Sequence, residues 1–179
     1  NTVHHCDIGL RGGEWTGGTR FIANVVYSNT SYGITIDPQN PDFTGFQVHH
    51  NTVFGNGTGI RIARTKSVGY HEVAANIVVG NGTGIDLTNM TTVAAIVYSD
   101  VWNNTTDYLN QAVTATKTGV VSVNPGFHST DPAHKRFFQL GPDTPQAVLT
   151  TGGSSSYGGA AYMGAIEPYF PSGTVVSIK

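Results

Sequence analysis

Cysteine occurs once in the 179 residues, at Cys6, so no internal disulfide can staple the fold, and no Cys/His set has structural zinc spacing. Charge is scarce as well: Asp, Glu, Lys and Arg make up 11% of the chain, and the formal net charge is -2. A chain with so little basic excess carries no nucleic-acid footprint and no basic membrane face. No apolar run approaches the ~20 residues of a membrane-spanning helix. Helical periodicity is missing too, because the apolar runs are only a few residues long and are broken by Asn and Gly. These absences leave a chain of single-domain size whose 39% hydrophobic residues suffice for a core, and whose polarity comes from Asn, Thr, Ser and Gly.

What the chain has is a repeat. The pattern Asn-x-(Val/Ile)-x-x-Asn occurs at Asn24 to Asn29, Asn51 to Asn56 and Asn76 to Asn81, with partial copies at Asn1 to Cys6 and from Asp100. A second register, Gly9-Leu10, Gly33-Ile34, Gly59-Ile60 and Gly84-Ile85, follows the Asn pairs in phase. A period near 25 residues signals a solenoid, in which no unit buries its apolar face alone and stacking supplies the core. Short Val/Ile-rich runs between Asn/Gly turns make the units strands rather than helices.

Each coil reads as three strands, in the central copy Phe46 to His50, Thr52 to Phe54 and Gly59 to Ile62, with Asn51 as the bend between the first two. Asn tolerates a left-handed backbone, and its amide can bond the equivalent amide one coil away, about 4.8 Å along the stack. One ladder is predicted through Asn24, Asn51, Asn76 and Asp100, another through Asn29, Asn56 and Asn81. Alternation then sorts faces. Inward positions are Val3, Val26, Val53 and Val78, then Ile34 with Ile36, Ile60 with Ile62 and Ile85 with Leu87, then Phe21, Val48, Val73 and Val97. His50 falls in an inward slot as a hydrogen-bonded core imidazole, and His49, Tyr27 and Phe54 face out. Sequons at Asn29, Asn56, Asn81 and Asn89 coincide with the turn residues of the repeat, which read as structure rather than glycan acceptors.

With its three strands per coil and stacked asparagines, the stretch 1–127 resembles right-handed parallel β-helices of the pectate-lyase-like superfamily, and the handedness agrees with the preference of parallel crossovers. After it, Asn124-Pro125-Gly126-Phe127, Asp131-Pro132, Phe138-Gln139-Leu140, Thr144-Pro145-Gln146-Ala147 and Gly164-Ala165-Ile166-Glu167 stand in the order seen in the C-terminal segment of secreted bacterial β-helix proteins. Thr144 and Gln146 depart from that pattern. The resemblance implies an all-β, right-handed parallel β-helix over 1–127. It also implies a capping segment over 128–179, folded across the open end, with a loop at 152–159, in a secreted or cell-surface protein. Asn1 falls inside a coil, which predicts upstream coils or a partner at that end.

In the lyase-like families the substrate groove follows the outward face of one strand column, acidic residues hold calcium, and Lys or Arg serves as base. The resemblance places that column on the third strand, where Arg11, Thr35, Arg61 and Asp86 face out. Elimination beside a uronate requires a cation to neutralise the carboxylate and a base to remove the acidified proton. Arg61 fits the first role, and Arg64, Lys66 or His71 in the following loop the second. Trp15, Phe43 and Tyr70 are candidates to stack on sugar rings, and Asp37 and Asp42 are the hard-oxygen ligands for calcium. The stretch Tyr32 to Gln39 partly resembles the Tyr-Gly-x-Asp-Pro-His element of mannuronan C5-epimerases, with two extra residues before Asp37 and Gln39 in place of the His. The expected function is polysaccharide binding within a carbohydrate-active enzyme of lyase or epimerase type. The alternative is a non-catalytic β-helix for surface adhesion or assembly.

Overall fold

The structure, a computed structural model, describes residues 1–13, 18–37, 45–63, 70–88, 95–110, 116–150 and 162–168, with the side chains of Tyr70, His71 and Thr150 outside that description. Among the described residues fifteen short strands follow one another three to a coil. The first coil holds β1 (Thr2–His4), β2 (Ile8–Gly12) and β3 (Thr19–Ile22), and the second β4 (Val25–Tyr27), β5 (Tyr32–Ile36) and β6 (Gly45–His49). The third holds β7 (Thr52–Phe54), β8 (Thr58–Ile62) and β9 (Tyr70–Ala74), and the fourth β10 (Ile77–Val79), β11 (Thr83–Asp86) and β12 (Ala95–Val97). The last holds β13 (Asp100–Trp102), β14 (Thr106–Leu109) and β15 (Thr116–Thr118), and a short helix, α1 (Gln146–Thr150), comes later. Every third strand pairs in parallel, giving three five-stranded sheets ordered β1-β4-β7-β10-β13, β2-β5-β8-β11-β14 and β3-β6-β9-β12-β15. The expected parallel β-helix is therefore present.

The core is the stack of inward residues that alternation assigns. Val26, Val53, Val78 and Val101 line up under the first sheet, and Ile34, Ile60 and Ile85 under the second, all at 0–1% exposure. The third sheet contributes Phe46, Val48, Val73 and Ile96. Ile96, not Val97, occupies the last of these positions, because the register pairs Ile96 with Val73 and Val97 with Ala74.

That one-residue offset reaches the ladders. Asn24 Nδ2 donates to Asn51 Oδ1 (2.9 Å) and Asn51 Nδ2 to Asn76 Oδ1 (3.0 Å), but the next rung is Ser99, whose Oγ accepts from the Asn76 backbone N–H at 3.2 Å. Asp100 is instead the first residue of β13, paired with Ile77. The second ladder runs Asn29, Asn56, Asn81 and then Asn104. Every rung donates toward the C-terminal coils, so the last amide needs a pure acceptor. Asp107 supplies it, accepting from Asn104 Nδ2 at 2.9 Å.

The bend also sits one residue earlier than expected. Left-handed backbone is found at Ala23, His50, Ala75 and Tyr98, and at Ser28, Gly55, Gly80 and Asn103, each immediately before a rung. The preceding residue turns the chain, and the Asn that follows is retained for its amide, which donates and accepts at once. His50 is thus a corner residue rather than an inward one. Burial lowers its pKa, partly countered by a hydrogen bond with the backbone of Tyr162.

The repeated glycines have the same cause. A Cβ at Gly59 would lie 2.7 Å from the Gly84 carbonyl oxygen, 2.9 Å from Val78 Cγ1 and 3.0 Å from Asn81 Nδ2. Gly59→Ala is expected to destabilise the chain by roughly 1–3 kcal/mol through overpacking against backbone, and a denaturation midpoint equal to wild type would contradict this crowding.

Over its described length the segment after β15 packs along the side of the stack. The outward positions of the first sheet are apolar, at Val25, Tyr27, Phe54, Ile77 and Val79, and the described part of the segment covers them. Phe138 sits among Tyr27, Phe54, Phe127 and Phe137 with ring centroids 4.0–5.7 Å away. Leu140, Val148, Leu149 and Met163 pack on Ile77 and Val79. Gly164 N–H donates to Ala75 O at 2.8 Å and Ala165 N–H to Thr52 Oγ1 at 3.1 Å, fastening the strap along a corner of the stack. A lateral position follows from composition: an apolar outer face of this length must be covered, and this is the apolar chain that covers it.

Candidate functional site

The outer face of the second sheet carries the column expected for ligand. Register places Arg11 beside Thr35, Thr35 beside Arg61, Arg61 beside Asp86 and Asp86 beside Leu109. Arg11 and Arg61 are two strand spacings apart, roughly 10 Å along the stack. Between them Thr35 is 2% exposed, and among the described residues its Oγ1 has no hydrogen-bond partner. Arg61 is half-buried, its guanidinium 5.0 Å from the Tyr32 ring centroid, with Nη1 3.8 Å from Asp37 Oδ2. Tyr32, the first residue of β5, and Asp37, just after its last, therefore flank the Arg61 head.

Asp86 belongs to the column by register but not by availability. Its Oδ1 accepts from Thr88 Oγ1 at 2.6 Å and from Asn110 Nδ2 at 3.0 Å, which ties the end of β11 to the residue after β14. Of the other candidates, Trp15, Asp42, Phe43, Arg64, Lys66, Asn89 and the 152–159 loop lie outside the described residues. Tyr70 and His71 are placed in β9 by backbone only.

No protein-family model, no curated protein and no solved structure matches the chain.

The third sheet holds a pair that the sequence reading did not assemble. His49 faces outward, as alternation requires, yet it is fully buried, with Nε2 2.9 Å from Glu72 Oε2. Burial first, then the nearby His50 and Arg20, hold the His49 imidazole down to about 4. Gln47 pairs with Glu72 and His49 with Ala74, so Glu72 is the diagonal neighbour of His49 one coil on. The repeat spacing applied to outward as well as inward residues would have found it.

At the C-terminal end of the stack a cleft of about 380 Å³ is lined by Val101, Asp107, Tyr108, Lys117 and Val120, among others. Lys117 Nζ stands 4.0 Å over the Tyr108 ring. Burial, with Asp107 and Asp100, pushes the Tyr108 phenol up to about 12. This phenol stays protonated at neutral pH and offers a donor, not a base.

The sequon asparagines Asn29, Asn56 and Asn81 are ladder rungs at 2–3% exposure with Nδ2 engaged, so the folded chain presents none of the three as a glycan acceptor. For calcium, the Asp37 carboxylate is turned to Arg61, and among the described residues no three His, Cys, Asp or Glu side chains converge.

Proposed function

We propose that this β-helix binds an extended acidic polysaccharide along the outer face of the β2-β5-β8-β11-β14 sheet, as part of a secreted or cell-surface carbohydrate-active protein of lyase or epimerase type. The observation that carries the reading is the column Arg11–Thr35–Arg61, two guanidinium groups flanking a buried hydroxyl with no described partner, on a flat strand face. Guanidinium groups bind carboxylates in bidentate, charge-assisted pairs, and their spacing along the stack is on the scale of a disaccharide. The C-terminal motifs that resemble those of secreted bacterial β-helix proteins support the location.

Arg61→Ala is expected to weaken binding to oligogalacturonate, alginate or a glycosaminoglycan by tenfold or more, since a hydrogen bond to a charged group contributes about 1.5–3 kcal/mol. Titration calorimetry at two salt concentrations measures it, with a neutral oligosaccharide as control. Unchanged affinity in both Arg11→Ala and Arg61→Ala would remove the column as the binding surface.

The Arg61–Asp37 contact favours a second reading, binding without catalysis, because it already compensates the charge that elimination would require. Appearance of unsaturated uronate absorbance separates a lyase from a binder, and a changed uronate composition without it identifies an epimerase.

A further inference from the structure

Two rungs of the second ladder are followed by glycine, Asn56-Gly57 and Asn81-Gly82. In a flexible chain such a pair undergoes a known self-reaction. The glycine nitrogen loses its proton and attacks the asparagine Cγ, ammonia leaves, and a five-membered imide forms. Water then opens the imide to aspartate or isoaspartate. The reaction needs no catalyst, only freedom for the nitrogen to reach Cγ.

The stack removes that freedom at both partners. Gly57 N–H donates to Asn29 O at 3.1 Å and Gly82 N–H to Asn56 O at 3.0 Å, so each nucleophile is tied to the neighbouring coil. The Asn56 side chain is fixed as well: Oδ1 accepts from Asn29 N (3.0 Å) and Nδ2 (2.9 Å), and Nδ2 donates to Asn81 Oδ1 (3.0 Å), Val26 O (3.2 Å) and Phe54 O (3.2 Å). Asn81 repeats the arrangement, accepting from Asn56 and donating to Asn104 Oδ1 (2.9 Å), Val53 O (3.2 Å) and Val79 O (3.2 Å). The product cannot re-enter this site. A carboxylate has no proton to donate to the next rung, and isoaspartate adds a backbone atom that breaks the coil register.

We propose that Asn56 and Asn81 are latent deamidation sites, silent while the ladder is closed and opened by unfolding of the coils that hold them, and that their modification prevents the stack from reforming. Modification drains the open population irreversibly, so the working lifetime of the protein is set by how much of it stands open.

The test incubates the whole protein at pH 8 and 37 °C, with and without denaturing urea, and follows intact mass, peptide maps and isoaspartate content. In buffer, conversion at Asn56 and Asn81 is expected to run roughly a hundredfold or more slower than in urea, because only the transiently open population reacts. On removal of urea the refolded fraction should fall in step with the modified fraction, and the modified chains should be those that fail to refold. Equal rates with and without urea would overturn the protection, and modified chains that refold to the native denaturation midpoint would overturn the block. The variant Asn56→Asp is a second check, expected to fold with a clearly lowered midpoint or not at all. A wild-type midpoint would overturn the block as well.

Discussion

Asn51→Ala is expected to lower the stability of the folded chain by roughly 3–5 kcal/mol, the sum of several lost hydrogen bonds at about 1 kcal/mol each and a buried N–H left without its acceptor. Asn51 Oδ1 accepts from both Asn24 N and Asn24 Nδ2, and Asn51 Nδ2 donates to Phe21 O, His49 O and Asn76 Oδ1. Removing the side chain interrupts the ladder in its middle, where the residue is 0% exposed and water does not replace it. Asn24 Nδ2 keeps Ile22 O, but the Asn24 backbone N–H has no other acceptor among the described residues. Urea unfolding followed by far-ultraviolet circular dichroism gives the difference. A loss below about 1 kcal/mol would mean the ladder contributes no more than an ordinary surface contact.

The second large effect is a pH dependence at Asp100. Its side chain is fully buried, and among the described residues Oδ2 has no partner, while Oδ1 accepts from Val123 N–H at 3.1 Å. Burial raises its pKa from 3.8 to about 7, the Val123 bond pulling the other way and Asp107 adding to the rise. Between those values the unfolded chain has lost the proton and the folded chain keeps it, so stability falls as pH rises from about 4 to about 7 and is level outside that window. A shift of this size corresponds to roughly 4 kcal/mol.

His49 slopes the other way. With its folded pKa at about 4 against 6.5 unfolded, it makes stability rise with pH over nearly the same range. The wild-type profile should therefore be shallow between pH 4 and 6.5. The variant Asp100→Asn, which retains the acceptor for Val123, should show the His49 rise uncovered. The readout is the difference between variant and wild type, which should grow in favour of the variant by about 1.4 kcal/mol per pH unit up to pH 7. A constant difference across that range would show that Asp100 is ionised in the folded chain throughout.

The coil was legible in the sequence because every coil makes the same local demands. Val53 and Ile60 repeat because inward positions on strands must be apolar, Gly59 because the ladder and the next backbone leave no room for a Cβ, and Asn56 because only an amide both accepts and donates along the stack. Alternation also placed Arg11, Thr35 and Arg61 in one outward column, since parallel register preserves parity from coil to coil.

The tertiary structure decided the rest. The left-handed corners fall on Ala23, His50, Ala75 and Tyr98, residues of no common composition, because the following rung imposes the turn and the corner residue merely complies. Ser99 replaces an Asn where the ladder ends, so the sequence pattern slid by one residue onto Asp100, and with it the expected inward position moved to Val97. The path of the C-terminal strap is set by contacts between Phe138 and Tyr27 and between Ala165 and Thr52, pairs more than a hundred residues apart, and no local spacing encodes them. The availability of charges was equally a matter of three dimensions: Asp86 is committed to Asn110, Arg61 lies near Asp37, and His49 meets Glu72 only because neighbouring coils lie one strand spacing apart.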